Sequence, residues 1–285
     1  MTPYSIPPAT TVGPVCLTVR DLARQQRFYS EILGLHALER GRDRLTMGVD
    51  GVSLLILEAR PDAPARPPRT TGLYHFAILL PNRQLLARSL QRLLETGYAL
   101  QGMADHAVSE AIYLADPEGN GIELYRDRPQ EEWPMRGGQV AMTLDPLDID
   151  GLLATNPGNE RPWDGLPTGT TIGHVHLTVA DLATAEAFYH GILGFDVMQH
   201  MGGVALFVSA GGYHHHLGLN VFNGRGLPQP PPGALGLRRY NINLPDRGAV
   251  DILAARLRAG EVEVIETEGA VVTHDPCGNE IVLAS

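Results

Sequence analysis

The hydrophobic and polar positions of the chain follow one pattern that occurs twice in clear form. Its two copies are VGPVCLTVRDLARQQRFYSEILGL (12–35) and IGHVHLTVADLATAEAFYHGILGF (172–195), separated by 160 positions. Each copy opens with alternating apolar residues, typical of a strand, and continues with apolar residues three to four positions apart, typical of a helix. Asp21 and Asp181 stand where a helix N-cap belongs, and a glycine follows where each helix should end.

Two fainter copies of the same pattern begin near Gly72 and Gly236. After each predicted helix the chain contains short strand-like runs, which in these two copies end in 111–127 and 270–285. The chain therefore contains four modules of strand, helix and three further strands. Because one module alone cannot bury a face of its sheet, we expect the modules to pair.

The predicted fold is α+β, with four βαβββ modules paired into two domains. We expect an N-terminal domain at 10–128, with modules one and two, and a C-terminal domain at 172–285, with modules three and four. The connection at 129–171 carries PWDGLPTGT near its end, a composition typical of a linker.

Composition narrows the class of protein. A formal net charge of -10, without a basic cluster, argues against nucleic-acid binding. The first residues lack the basic and apolar regions of a signal peptide, and no apolar run approaches the roughly 20 residues of a membrane span. Only Cys16 and Cys277 are present, and we expect two buried thiols in a reduced cytoplasm.

Strand alternation predicts which polar side chains share one face of the sheet. In module three, His174, His176 and Thr178 alternate with apolar residues that suit the face covered by the helix. In module two the same alternation isolates His75 on the first strand, and Glu123 with Tyr125 on the last strand. A buried carboxylate among apolar neighbours is costly unless it is paired, and a metal ion would remove that cost.

This arrangement of modules resembles the vicinal-oxygen-chelate superfamily, which includes glyoxalase I, fosfomycin-resistance thiol transferases and extradiol ring-cleaving dioxygenases. The resemblance covers nearly the whole chain outside the linker and the termini. In that family two modules curve into a cup, and the first and last strands of each module carry the metal ligands. The resemblance therefore implies two glyoxalase/dioxygenase-like domains.

At the ligand positions implied by the resemblance, modules two and three together supply His75, Glu123 and His174. Modules one and four offer no ligand there, having Pro14, a leucine-rich SLLIL, Arg239 and Val282. The implied set is a 2-His-1-carboxylate triad, which suits Fe(II), with Mn(II) as the alternative ion. It requires modules two and three to pair with each other, and modules one and four likewise.

A closer resemblance is to the extradiol catechol dioxygenases. Their Tyr-x-x-Asp/Thr-Pro-x-Gly-x-x-x-Glu pattern is matched here by Tyr113, Asp116, Pro117, Gly119 and Glu123. The DPxGNxxE part is common in the superfamily, so Tyr113 is the residue that adds specificity.

The same resemblance assigns two histidines to the active site. DHAVS (105–109) matches the segment with a further active-site histidine, which maps to His106, although the spacing to Tyr113 is two residues shorter than in the best-known members. In YHHHLGLN (213–220), the match assigns an acid/base role to His215. Strand alternation instead favours His214 or His216, and a bulge at the strand start would reconcile the two interpretations.

The resemblance thus implies an extradiol dioxygenase that opens a small catechol with O2, with no membrane partner and with a homo-oligomer allowed. One alternative is a glyoxalase-type isomerase or lyase, in which one of His214–His216 would be a fourth ligand to Ni(II) or Zn(II). Another is a non-catalytic binding protein of the bleomycin-resistance type. His176 is expected beside the ligand His174, and no role is assigned to the remaining histidines, His36, His190, His200 and His274.

Overall fold

The computed structural model describes residues 4–156, 162–267 and 269–285. It contains two eight-stranded sheets, a two-stranded hairpin and few helices, which confirms the predicted α+β class. No helix in these ranges is long and apolar enough to cross a membrane. Residues 157–161 of the predicted linker lie outside the described residues.

Module one has the predicted order of elements. Its strands and helix are β1 (Thr11–Val19), α1 (Leu22–Arg27), β2 (His36–Arg40), β3 (Arg44–Val49) and β4 (Val52–Ala59). Helix α1 continues as a π-helical turn over Phe28–Ile32. Its N-cap is Asp21, whose Oδ1 accepts a hydrogen bond from the Arg24 amide at 2.9 Å, as predicted.

Module two repeats this order with a longer helix. Its elements are β5 (Gly72–Leu79), α2 (Arg83–Thr96), β6 (Leu100–Asp105), β7 (Ser109–Ala115) and β8 (Gly121–Asp127). Asn82 caps the start of α2, and Gly97, in the left-handed conformation, ends it. The following connection contains a hairpin and a short helix: β9 (Met135–Arg136), β10 (Gln139–Val140) and α3 (Ile149–Leu153).

Modules three and four complete the chain. Module three contains β11 (Thr171–Thr178), α4 (Leu182–Glu186), β12 (Asp196–Met201), β13 (Ala205–Ser209) and β14 (Leu217–Asn220). Module four contains β15 (Gly236–Asn243), α5 (Arg247–Ala259), β16 (Ile265–Thr267), β17 (Ala270–His274) and β18 (Glu280–Ala284).

The order of strands shows which modules share a sheet. One sheet runs β16-β17-β18-β15-β1-β4-β3-β2, and the other runs β12-β13-β14-β11-β5-β8-β7-β6. Modules two and three therefore contribute to one sheet, and modules one and four to the other, as the distribution of ligands predicted.

By internal contacts the chain divides into two compact units. One consists of 18–63 and 75–172, and the other of 1–17, 64–74 and 173–285. The domain boundaries suggested by the sequence stay a prediction.

The DPxGN motifs at 116–120 and 275–279 stabilise the loop before the last strand of modules two and four. Asp116 is buried; its Oδ1 accepts hydrogen bonds from the amides of Glu118 and Asn120, and its Oδ2 accepts one from the Tyr29 hydroxyl at 3.0 Å. Burial raises the pKa of Asp116 and of Tyr29. In the second copy, Tyr189 donates to Asp275 at 2.8 Å in the same way. In both copies, therefore, the Tyr of the Phe-Tyr motif contacts the Asp of the DPxGN motif, and this contact stabilises the loop before the last strand.

Replacing Tyr29 by phenylalanine should destabilise the protein by about 1.5–3 kcal/mol. The change removes a fully buried hydroxyl that donates to a buried carboxyl group, and Asp116 loses that partner without gaining water. The free energy of unfolding from urea titration measures the effect. Tyr98→Phe is the matched control, because its hydroxyl donates to the neutral Ala115 carbonyl and should contribute only about 0.5–1.5 kcal/mol. Equal losses in both variants would contradict the importance of the buried Asp116 contact.

Both cysteines are buried free thiols, as predicted. The sulfur of Cys277 accepts a hydrogen bond from the Ala180 amide at 3.3 Å, and burial raises the pKa of its thiol to about 11. A thiol with so high a pKa is a poor nucleophile at neutral pH.

Candidate metal centre

Module two contributes a buried His–Glu pair. In the parallel register of β5 and β8, Ala77 lies opposite Glu123, so alternation along β5 places His75 on the same face as Glu123. His75 Nε2 lies 2.9 Å from Glu123 Oε2, and both side chains are almost completely buried. Further along this face, Ala77 and Tyr125 pack with Ala111 in an apolar cluster. The predicted facing of Glu123 and Tyr125 is thus observed.

Module three contributes His174 from β11, a side chain with only 1% of its surface exposed. The parallel register of β11 and β14 pairs His176 with Gly218, so His174 and His176 share the face of Gly218. A Cβ atom at Gly218 would lie 2.8 Å from His176 Cγ, closer than real side chains come. The glycine therefore makes room for the imidazole of His176.

One ligand atom from each of His75, Glu123 and His174 can be chosen so that all three lie within 4.8 Å of one another. Two imidazole nitrogens and one carboxylate oxygen are the donors that suit Fe(II), Mn(II) or Zn(II). The 2.9 Å between His75 Nε2 and Glu123 Oε2 is short enough for both atoms to contact one ion with bonds of about 2.1 Å. The residues present therefore fit a mononuclear metal ion.

Tyr113 and His106 lie beside this group. Tyr113 on β7 pairs directly with Glu123 on β8 and shares its face, and its ring centroid lies 5.6 Å from that of His75. His106 Nε2 is 2.6 Å from the Tyr113 hydroxyl. His106 and Tyr113 are therefore in contact, although they are two residues closer in sequence than in the best-known catechol dioxygenases.

The second ring nitrogen of His106 determines which partner donates in the hydrogen bond between His106 Nε2 and the Tyr113 hydroxyl. His106 Nδ1 lies 2.7 Å from the Thr143 carbonyl oxygen, which can only accept, so Nδ1 carries a hydrogen. In a neutral His106, Nε2 then accepts the hydroxyl hydrogen of Tyr113. This tautomer is assigned from the hydrogen-bond network.

Thr143 is a contributor that sequence reasoning missed. It lies in the connection expected to be only a linker, where the Thr143 amide also donates to the His106 carbonyl at 3.1 Å and Asp145 forms a β-bridge with Asp105. No motif marks this segment, because it acts through backbone groups that any residue type provides.

The three consecutive histidines occupy different surroundings. His214 and His215 precede β14, which begins at Leu217, whereas the backbone of His216 already bonds to Val175 and Val208 of the two neighbouring strands. The His215 ring lies 4.1 Å from that of His174, centroid to centroid. His214 Nδ1 is 2.8 Å from His215 Nδ1, whereas His216 Nδ1 accepts from the Ala210 amide and lies 2.9 Å from Ser209 Oγ. The His215 ring is thus nearer to the His174 ring than the His214 ring, which lies 6.4 Å from it.

The remaining histidines make local contacts of other kinds. His190 Nδ1 donates to the Phe195 carbonyl at 2.6 Å, and His200 Nε2 pairs with Glu186 at 2.9 Å near the surface. His274 lies 3.8 Å from Glu280. These contacts lie at a helix end and near the surface, and the expectation that these histidines have no role in the site stays a prediction.

The fold and the site together define a class of protein. Two curled eight-stranded sheets built from βαβββ modules, with a buried His–His–Glu group on one of them, are typical of metal-dependent proteins of the glyoxalase type. The sequence matches the Glyoxalase/Bleomycin resistance protein/Dioxygenase superfamily over residues 11–124 and 171–283. The chain belongs to this superfamily.

Individual relatives agree with this assignment. The chain is 47% identical to catechol-2,3-dioxygenase of Bacillus subtilis (strain 168) over 95% of its own length and 96% of that protein's. It is 26% identical to biphenyl-2,3-diol 1,2-dioxygenase 3 of Rhodococcus globerulus over 45% of its length and 70% of that protein's.

Among solved structures, glyoxalase I from Zea mays matches with a TM-score of 0.59 and 16% identity, over 96% of this chain and 92% of that one. A structure from Bacillus subtilis subsp. subtilis str. 168 matches with a TM-score of 0.69 and 12% identity, over 99% and 86%. At these identities the structural matches show the fold alone.

Proposed function

We propose that this protein is an extradiol ring-cleaving dioxygenase, an oxidoreductase that opens a catechol with O2. The observation that carries the proposal is the hydrogen-bonded pair of Tyr113 and His106 beside the His75–Glu123 pair. A relative 47% identical over nearly the whole chain, a catechol-2,3-dioxygenase, supports the same reaction class.

His75, Glu123 and His174 would hold the metal ion, Fe(II) by preference and Mn(II) as the alternative. When bound, the ion supplies Lewis acidity that lowers the pKa of a catechol hydroxyl, together with the redox chemistry that O2 requires. Burial of all three ligands keeps water from competing for the site and strengthens the electrostatic interactions there.

His215 is the proposed general base and acid. Its ring lies against His174, so it reaches a catechol hydroxyl at the metal without replacing a ligand. It takes the second phenolic proton and later returns a proton to the developing product. His214 Nδ1 lies 2.8 Å from His215 Nδ1, a contact that orients the His215 ring.

Tyr113 and His106 would bind the ring oxygens. With His106 neutral, Tyr113 donates its hydrogen to His106 Nε2, and the phenolic oxygen accepts from a catechol hydroxyl. With His106 protonated, the direction reverses, and Tyr113 can donate to an oxygen that has become negatively charged. The carbon–carbon bond beside the diol breaks and both atoms of O2 enter the product, a 2-hydroxymuconate semialdehyde type of compound.

Oxygen uptake tests the proposed reaction directly. Protein prepared anaerobically and reconstituted with Fe(II) is expected to consume one O2 for each catechol, with a yellow ring-fission product, whereas metal-free protein is inactive. Metal binding without uptake across a panel of catechols would overturn the proposal and favour the isomerase or lyase alternative, with one of His214–His216 as a fourth ligand. Failure to bind any metal would favour the binding-protein alternative.

A further inference from the structure

A continuous series of aromatic rings leads away from His215. Phe207 lies 4.9 Å from His215 and 5.8 Å from His176, centroid to centroid. The His176 ring in turn lies 5.2 Å from that of Tyr74 and 6.1 Å from that of Phe222. We call these five rings the aromatic wall.

The inner part of the wall shares the face that carries His174. Gly218 pairs with His176 on one side and with Phe207 on the other, so both rings stand on one face above the bare glycine. Both are almost fully buried, with exposures of 6% for His176 and 7% for Phe207. This part of the wall therefore lies buried on the same face as the proposed ligand His174.

The outer part of the wall is open to solvent. Tyr74 is 43% exposed and Phe222 is 47% exposed, and their rings meet edge to face at 5.7 Å. The Phe222 amide donates to Asn220 Oδ1 at 3.1 Å, which holds the start of this loop against the end of β14. Tyr74 and Phe222 thus form a solvent-exposed aromatic surface next to the buried rings of the wall. Such surfaces are typical of ligand binding.

We propose that Tyr74 and Phe222 bind an apolar, preferably aryl, substituent on the catechol ring and thereby determine substrate preference. This inference rests on the proposed function, since it concerns the same site. The wall provides ring faces and edges, with which an aryl group forms offset or edge-to-face contacts. Neither Tyr74 nor Phe222 carries a charge that would favour a carboxylate substituent.

The preference for an aryl substituent should depend on these two rings. Wild-type Fe(II)-loaded protein is expected to use 2,3-dihydroxybiphenyl with a higher kcat/KM than catechol. Phe222→Ala and Tyr74→Ala should each lower the ratio of the two kcat/KM values about tenfold, the effect of a lost aromatic contact and its buried area. The change should lie in KM, with kcat for catechol nearly unaltered. Anaerobic titration should show the same weakening in the dissociation constant of 2,3-dihydroxybiphenyl.

Ile252→Ala is the matched control, because Ile252 on α5 is 52% exposed and lies outside the aromatic wall. Its substrate ratio should equal that of the wild type. Two independent variants protect the test against misfolding of either one, which thermal unfolding would reveal. If both variants turn over both substrates with an unchanged ratio of the two kcat/KM values, the inference is overturned. This includes the case in which both kcat/KM values fall equally. If the wild type oxidises neither catechol, the proposed function itself fails.

Discussion

Replacing Glu123 by alanine is expected to abolish metal binding and activity together. The change removes the only carboxylate of the proposed ligand set and leaves two neutral imidazoles, a set that holds a divalent ion weakly. Loss of several kcal/mol of metal-dependent stabilisation corresponds to a fall in kcat/KM of about 10³-fold or more. Metal content after dialysis, measured by elemental analysis, and O2 uptake are the two measurements.

Glu280→Gln provides a matched control for the effect of removing a carboxylate from a last strand. Glu280 lies at the start of β18 in module four, where Arg238 binds it at 2.6 Å, and it does not belong to the proposed ligand set. This variant should retain metal and activity. Retention of a full equivalent of metal in Glu123→Ala, with the fold intact, would remove Glu123 from the ligand set. His174→Ala should behave like Glu123→Ala.

Replacing His215 by alanine should leave metal binding intact and slow turnover by about 10²–10⁴-fold, the usual contribution of a general acid/base. The loss should appear in kcat, because the proton transfers belong to the chemical steps rather than to formation of the ligand set. Metal content and steady-state O2 uptake with catechol distinguish the two effects.

The neighbouring histidines supply the comparison for this second prediction. His216→Ala should lower stability, because its Nδ1 accepts the buried Ala210 amide, and any folded protein should keep most of its kcat. If His215→Ala instead releases the metal, His215 is a ligand, and the glyoxalase-type alternative gains support. A fall in kcat for His216→Ala as large as that for His215→Ala would transfer the acid/base role to His216.

Much of the candidate site could be predicted because its residues lie in regular strands. Side chains alternate between the two faces of a strand, so the apolar residues of β5, β8 and β11 show on which face His75, Glu123 and His174 lie. This prediction needs no tertiary information. The pairing of modules two and three also followed from the sequence, since the implied ligands occur only in those modules. The strand order agrees with it.

Strand alternation did not predict the position of the acid/base candidate, His215. Alternation counted back from Leu217 and Leu219 favoured His214 or His216, but the strand begins only at Leu217. The backbone of His216 still bonds to Val175 and Val208 of the neighbouring strands, but the contact between His215 and His174 depends on the path of the loop before the strand.

The sequence by itself determined the four modules, the α+β class and the strand faces that carry the candidate ligands, because these properties depend on residues close together in the chain. Only the tertiary structure decided that the Thr143 carbonyl orients His106, and that Tyr74 and Phe222 meet on His176. These contacts join residues far apart in sequence through backbone groups and ring positions. Their geometry depends on how whole strands and loops pack, which no local pattern of residue types records.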